Sequence, residues 1–162
     1  MKEIERKWLV DEKKCPIFKY SLESFNLEIW ETEQGYLNSQ EDEWLIRARK
    51  VKIILKDDDS ITRHLLDLKT KGMLSRDEIT LSINHKEFTE IISKCGKRVY
   101  KTRYTWQTDE ARYEIDVYRD HNFITCEVEF SNETEAKEFE APDWCVKDVT
   151  EDPKYKNVNL VK

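Results

Sequence analysis

The sequence predicts an α+β domain dominated by antiparallel strands, and three observations carry that expectation. Charged residues alternate with apolar ones at period two in segment after segment, as on strands with two unlike faces. Two helix-start signatures, Asn84 with Glu87 and Asn132 with Glu135, place short helices among those segments. Strands outnumber helices and the connections are short, which favours antiparallel pairing over crossover units. The 162 residues fit a single domain spanning 1–162.

In chain order, Glu3, Glu5 and Lys7 alternate with Ile4, Arg6 and Trp8. The stretch 13–25 suggests a short helix whose start is blurred by Pro16. Within 44–49, Arg47 and Arg49 alternate with Ile46 and Ala48. Segment 50–63 reads as a strand extension and a polar turn, Asp57-Asp58-Asp59-Ser60, expected as a solvated loop rather than a metal site. Asp67 and Lys69 alternate with Leu66 and Leu68, and Arg76 and Glu78 precede Ile79. Asn84 caps a helix over 85–95 that Gly96 ends. Lys101 and Arg103 lie beside Tyr100, Thr102 and Tyr104; Glu114 and Asp116 alternate with Tyr113, Ile115 and Val117; Glu127 and Glu129 with Cys126, Val128 and Phe130. The last helix, over 133–140, stops before Pro142.

Composition removes several classes of function. Charged residues make up 38% of the chain, but Lys and Arg are outnumbered 28 to 34 by Asp and Glu, so no broad footprint for nucleic acid or an anionic membrane is expected. Any anion site must be local. Gly35, Gly72 and Gly96 are too scattered for a phosphate-cradling loop or a dinucleotide fingerprint. HExxH, GxSxG and CxxC are all absent, and Cys15, Cys95, Cys126 and Cys145 have no zinc or disulfide-framework spacing. Without a run of 18 apolar residues or a basic-then-apolar leader, a reduced, cytoplasmic protein is the expectation. The single histidines His64, His85 and His121 read as surface or helix residues, and the tryptophans as core, with Trp106 the one candidate for stacking on a nucleoside.

The charged positions are grouped by sign. Lys7, Arg47, Arg49, Lys69, Arg76, Lys101 and Arg103 are cationic, whereas Glu3/Glu5, Glu114/Asp116 and Glu127/Glu129 come as i, i+2 carboxylate pairs. A solvated sheet face is the plain explanation. Like charges on neighbouring same-face positions nevertheless repel unless something neutralises them. A divalent cation between carboxylates and a polyanion between bases would do so.

Glu3-Ile4-Glu5-Arg6-Lys7 matches the ExExK signature of the CYTH superfamily, the triphosphate tunnel metalloenzymes, and later motifs follow in the same order. Gln34-Gly35-Tyr36-Leu37 resembles QGYL, Ile46 to Arg49 the RxR strand, Leu68-Lys69 with Arg76-Asp77-Glu78 the LTxK and REE elements, and Lys101 to Tyr104 KxRY. Glu114 to Val117 resembles ExDxF, Glu127 to Phe130 EVEF, and Val149 to Asn157 the terminal VTxDxRYxN.

The resemblance implies an eight-stranded antiparallel β-barrel with flanking helices, forming a tunnel in which a linear triphosphate is cleaved with Mg²⁺ or Mn²⁺. It assigns the metal to Glu3, Glu5, Glu127 and Glu129, assisted by Asp116 and Glu114. Lys7, Arg47, Arg49, Lys69, Arg76, Lys101 and Arg103 would grip phosphates. Lys154, standing where the family has Arg, would do so without the guanidinium fork. Lys101, Glu127 and Glu129 are the catalytic candidates, Lys101 or a metal-coordinating carboxylate orienting the water. Glu78 is expected to pair with Arg76 or Lys69. The expected activity is hydrolysis of inorganic tripolyphosphate. The alternatives are a thiamine or nucleoside triphosphatase, a class IV adenylyl cyclase and a non-catalytic polyphosphate sensor. The resemblance allows a homodimer; no nucleic-acid or membrane partner is expected.

Overall fold

The computed structural model describes residues 1–39, 41–55, 57 and 59–161. Its strands are β1 (Lys2–Val10), β2 (Leu27–Tyr36), β3 (Trp44–Ile54), β4 (Ser60–Thr70), β5 (Ser75–Ile83), β6 (Arg98–Gln107), β7 (Arg112–Tyr118), β8 (Ile124–Glu129) and β9 (Cys145–Asp148). Neighbours run β5-β4-β3-β2-β6-β7-β8-β1, all antiparallel, and β1 pairs back onto β5 with Glu3 opposite Arg76. That last ladder closes an eight-stranded barrel. The short β9 takes the rest of the same edge of β1, with Trp8 opposite Asp148.

The barrel is polar inside and apolar outside, because the period-two alternation turns the charged set inward in every barrel strand except β2. The apolar set then needs cover. Trp8, Ile115, Cys126 and Val128 on the outer faces of β1, β7 and β8 pack with Cys15, Ile17, Tyr113 and Trp144, beneath the segments joining β1 to β2 and β8 to β9. The first of these holds helix α1 (Pro16–Lys19), with Pro in its first turn, and a 3₁₀ turn at Leu22–Ser24, rather than one helix through 13–25.

Helix α2 (His85–Lys94) starts at the expected Asn84–Glu87 capping box and lays Phe88 and Ile92 over Ala48. A Cβ on Gly35 would stand 2.7 Å from Cys95 Cβ and 2.9 Å from Ile92 Cδ1, so glycine is what lets the end of α2 approach β2. Helix α3 (Glu133–Glu138) is capped by Asn132 and ends two residues short of expectation. Its last carbonyls, Ala136 and Phe139, accept from Arg6 Nη1 at 2.7 and 3.0 Å.

Two strands went unread in the sequence, β2 and β9. The inward face of β2 carries Trp30, Thr32 and Gln34 instead of charges, and its acids Glu31 and Glu33 point out, so the sign pattern that marks the other strands is missing. Segment 50–63 is a hairpin extending β3 into β4, with Leu55 N–H donating to the Asp59 carbonyl and Asp57 at φ 62. Asp57 and Asp59 are exposed; Asp58 lies outside the described residues. Among the described residues no helix is long and apolar enough to cross a membrane.

Candidate active site

Two adjoining chambers lie within the barrel. One, about 210 Å³, is lined by Glu3, Trp30, Thr32, Arg49, Glu78, Thr80, Lys101, Arg103, Glu114 and Glu129. The other, about 450 Å³, opens between the β2–β3 and β4–β5 turns and the C-terminal segment, past Lys7, Tyr36, Leu45, Met73, Thr150 and Lys156. Glu5, Arg47, Lys69, Arg76, Glu127 and Asn157 line both, and so form the waist between them.

All seven strand-borne cations read from the sequence face this tunnel, and each is ion-paired. Lys7 Nζ meets Glu127 at 2.9 Å, Lys69 Nζ meets Glu3 at 2.8 Å and Glu78 at 3.2 Å, and Arg76 meets Glu3 at 2.7 Å and Glu5 at 2.8 Å. Arg47 and Arg49 both reach Asp67, at 2.9 and 2.6 Å. Lys101 reaches Asp116 at 2.6 Å, and Arg103 spans Glu114, Asp116 at 2.7 Å and Glu127 at 2.8 Å. Glu78 therefore pairs with Lys69, and with Arg47 at 3.7 Å rather than Arg76. Among the described residues Glu129 makes no ion pair.

Burial and these partners set the proton affinities. Burial alone would raise Glu3, but Lys69 and Arg76 beside it hold its carboxyl at about 2. Glu5, two residues on, is pushed up to about 7 by burial and by the negative charge of Glu127, which Arg76 only partly offsets. Burial and Arg103 bring Lys101 down to about 8 despite Asp116. Lys7 goes the other way: burial opposes its charge, but Glu127, Tyr118 and Asp116 together outweigh burial and raise it. Glu129 is raised by partial burial and by Glu3, Glu114 and Glu78.

As donors, Glu3, Glu5, Glu127 and Glu129 suit a hard divalent cation, since all four line the smaller chamber with carboxylate oxygens. Register adds to this: Glu5 stands directly opposite Glu129, and Glu114 opposite Glu127, placements that like charges disfavour without a counter-ion. Among the described residues no three such side chains already converge to metal-binding distance. At Glu3, Glu5 and Glu127 lysine and arginine occupy the oxygens instead, so the donor chemistry fits a metal whose binding is coupled to release of those ion pairs.

Lys154 departs from expectation. It is exposed, with Nζ 5.4 Å from the Tyr155 ring, and lines neither chamber; Lys156 reaches the larger one and donates to the Gly72 carbonyl at 3.0 Å. The 3₁₀ turn at Pro153–Tyr155 points the first lysine outward and the second inward. Trp106 is likewise no stacking platform: its outward position in β6 packs it against Phe25, Tyr113 and Trp144 in the outer core. Among the tryptophans it is Trp30 that lines the smaller chamber. His64 and His85 meet each other on the surface at 3.3 Å, and His121 contacts the Leu160 carbonyl at 2.7 Å.

Sequence reasoning missed Tyr36, Thr80 and Asn157 as tunnel residues, and Asp67 as the buried partner of Arg47 and Arg49. Asp67 carried a readable signal, since it lies two residues from Lys69 on the same strand face. Asn157 carried none, because a C-terminal turn rather than a strand delivers it; its Oδ1 accepts from the Tyr118 hydroxyl at 2.9 Å.

A closed barrel lined by paired Lys, Arg, Asp and Glu defines a tunnel enzyme of the triphosphate class. An inorganic triphosphatase of Nitrosomonas europaea is 33% identical over 164 aligned residues, covering 99% of this chain and 97% of the relative. One from Acetivibrio thermocellus is 36% identical over 97 residues, 57% of this chain and 61% of that one. The crystal structure of an inorganic triphosphatase superposes with a TM-score of 0.63 at 31% identity, covering 98% of this chain and 93% of that one. No family model matches the chain. The chain belongs to the triphosphate tunnel (CYTH) family, among the inorganic triphosphatases.

Proposed function

We propose that the protein hydrolyses inorganic tripolyphosphate to pyrophosphate and orthophosphate, with a divalent cation, Mg²⁺ or Mn²⁺, held among Glu3, Glu5, Glu127 and Glu129. The observation that carries this reading is the ring of seven cations converging from five strands on the tunnel, a cradle suited to a short chain of phosphates. When bound, the cation neutralises charge on phosphoryl oxygens.

The chain's own residues supply the rest. Lys7, Lys69, Arg76 and Arg103 exchange carboxylate partners for phosphoryl oxygens and, with Arg47 and Arg49, hold the terminal phosphorus in line for attack. With a proton affinity near 8, Lys101 is in part neutral around neutral pH and takes the proton of the attacking water as its oxygen bonds to phosphorus. The bridging oxygen leaves with pyrophosphate. Four free cysteines suit a reducing compartment, and we place the protein in the cytoplasm.

Phosphorus NMR of the products tests the assignment. Tripolyphosphate should yield pyrophosphate and orthophosphate in equal amounts, with ATP and thiamine triphosphate turned over far more slowly. Preferential cleavage of either organic substrate, or release of cyclic AMP, would replace the reading with one of the alternatives.

A further inference from the structure

Two carboxylates in the tunnel wall are fully enclosed, Asp67 and Asp116, and they occupy matching places. Each stands directly opposite an arginine on the neighbouring strand, Asp67 opposite Arg47 and Asp116 opposite Arg103, and each also takes the next cation on that face, two residues away. At Asp67 the set is complete. Oδ2 accepts from Arg47 Nε at 2.9 Å and Arg49 Nε at 2.6 Å; Oδ1 accepts from Arg49 Nη2 at 2.9 Å and the Thr80 hydroxyl at 2.7 Å. A carboxylate offers about four acceptor positions, so Asp67 has none left for a metal.

The other tunnel carboxylates differ. Glu3, Glu5, Glu114 and Glu127 are open enough to the chambers to change partners when ligand arrives. Asp67 is saturated, and unlike them it lines neither chamber, so it has no route to such an exchange. What it does instead is fix two like-charged arginines, placed i, i+2 on one face, that would otherwise repel and splay. Its bonds use Nε of both and one terminal nitrogen of Arg49, which leaves the remaining guanidinium N–H groups outside its hold on the side of the chambers that Arg47 and Arg49 line, where Arg47 Nη2 stands 3.7 Å from Glu78.

We propose that Asp67 is a positioning residue for substrate: it holds Arg47 and Arg49 as a preset fork for phosphoryl oxygens and stays bound to them throughout turnover. This rests on the tripolyphosphatase reading above.

The sign of one substitution decides between this and simple charge balance. Asp67→Asn removes a negative charge beside the phosphate site, so if Asp67 merely neutralises, tripolyphosphate binds tighter and KM falls. If Asp67 positions, half its acceptors become an N–H₂ group facing the arginine donors, the fork is lost, and KM rises about tenfold or more while kcat changes less. The readouts are KM and kcat for tripolyphosphate, plus calorimetric binding of tripolyphosphate in chelator, with circular dichroism to confirm the fold. Should Asp67→Asn not fold, Thr80→Val keeps the charge and withdraws one of four donors; positioning predicts KM higher by about two- to fivefold, and an unchanged or lower KM overturns the proposal. Wild-type protein that neither binds nor cleaves tripolyphosphate overturns the functional reading and the fork with it; an active wild type with a lower or unchanged KM in Asp67→Asn overturns the fork alone.

Discussion

Glu127→Gln separates the metal role of the tunnel carboxylates from their structural role. Glu127 is 8% exposed and accepts from Lys7 at 2.9 Å and Arg103 at 2.8 Å, so it neutralises parts of two buried cations. Breaking a buried pair outright costs about 3–5 kcal/mol. Glutamine still accepts from one cation but turns a donor toward the other, so about half that cost is expected, or about 2 kcal/mol. At about 2–4 °C per kcal/mol for a chain of this size, the melting temperature should fall by about 4–8 °C, leaving the protein folded at assay temperature. Turnover should suffer far more, by about 10²–10³-fold, as when one preorganised group is withdrawn from a charged transition state. The assay is phosphate release from tripolyphosphate against Mn²⁺ concentration, beside a thermal melt. A melt that shifts as stated with metal-dependent turnover intact would refute the metal assignment.

Gly35→Ala should cost about 1–3 kcal/mol, because its Cβ would come within 2.7 Å of Cys95 Cβ; a thermal melt should show a fall of about 2–12 °C, with activity retained at low temperature. The pH dependence of urea unfolding should carry two opposed contributions. With its carboxyl raised from 4.5 to about 7, Glu5 holds a proton in the folded chain that the unfolded chain has lost, so its contribution to stability falls as pH rises through that window, and Glu5→Gln should remove the fall. Glu3, lowered from 4.5 to about 2, contributes stability above that window that is lost as pH drops through it. Lys154→Ala should leave KM for tripolyphosphate within about twofold of wild type, since the side chain is exposed and lines neither chamber; Lys156→Ala should raise it.

The strands that carry charge inward were legible because sign and period coincide: Glu3-Glu5-Lys7 or Lys101-Arg103 shows both a strand and its polar face. β2 was not, because Trp30, Thr32 and Gln34 take the inward face and the outward-facing acids Glu31 and Glu33 imitate an ordinary polar pattern. Both longer helices were announced by their asparagine caps, each confirmed by a side-chain bond to the third residue on. The partner scheme lies beyond sequence pattern. That Lys7 seeks Glu127 across one strand pair while Arg76 seeks Glu3 and Glu5 across another follows from closure of β1 onto β5, a contact between residues more than seventy positions apart. The lysines of the C-terminal segment fall in the same category, since a 3₁₀ turn decides which of Lys154 and Lys156 faces inward.

The central claim is tested most directly by phosphate release from tripolyphosphate and from ATP in parallel, with Mg²⁺, with Mn²⁺ and with chelator. Release that needs the metal and strongly favours tripolyphosphate is the predicted result. Release that persists in chelator, or none from tripolyphosphate with either metal, would contradict it.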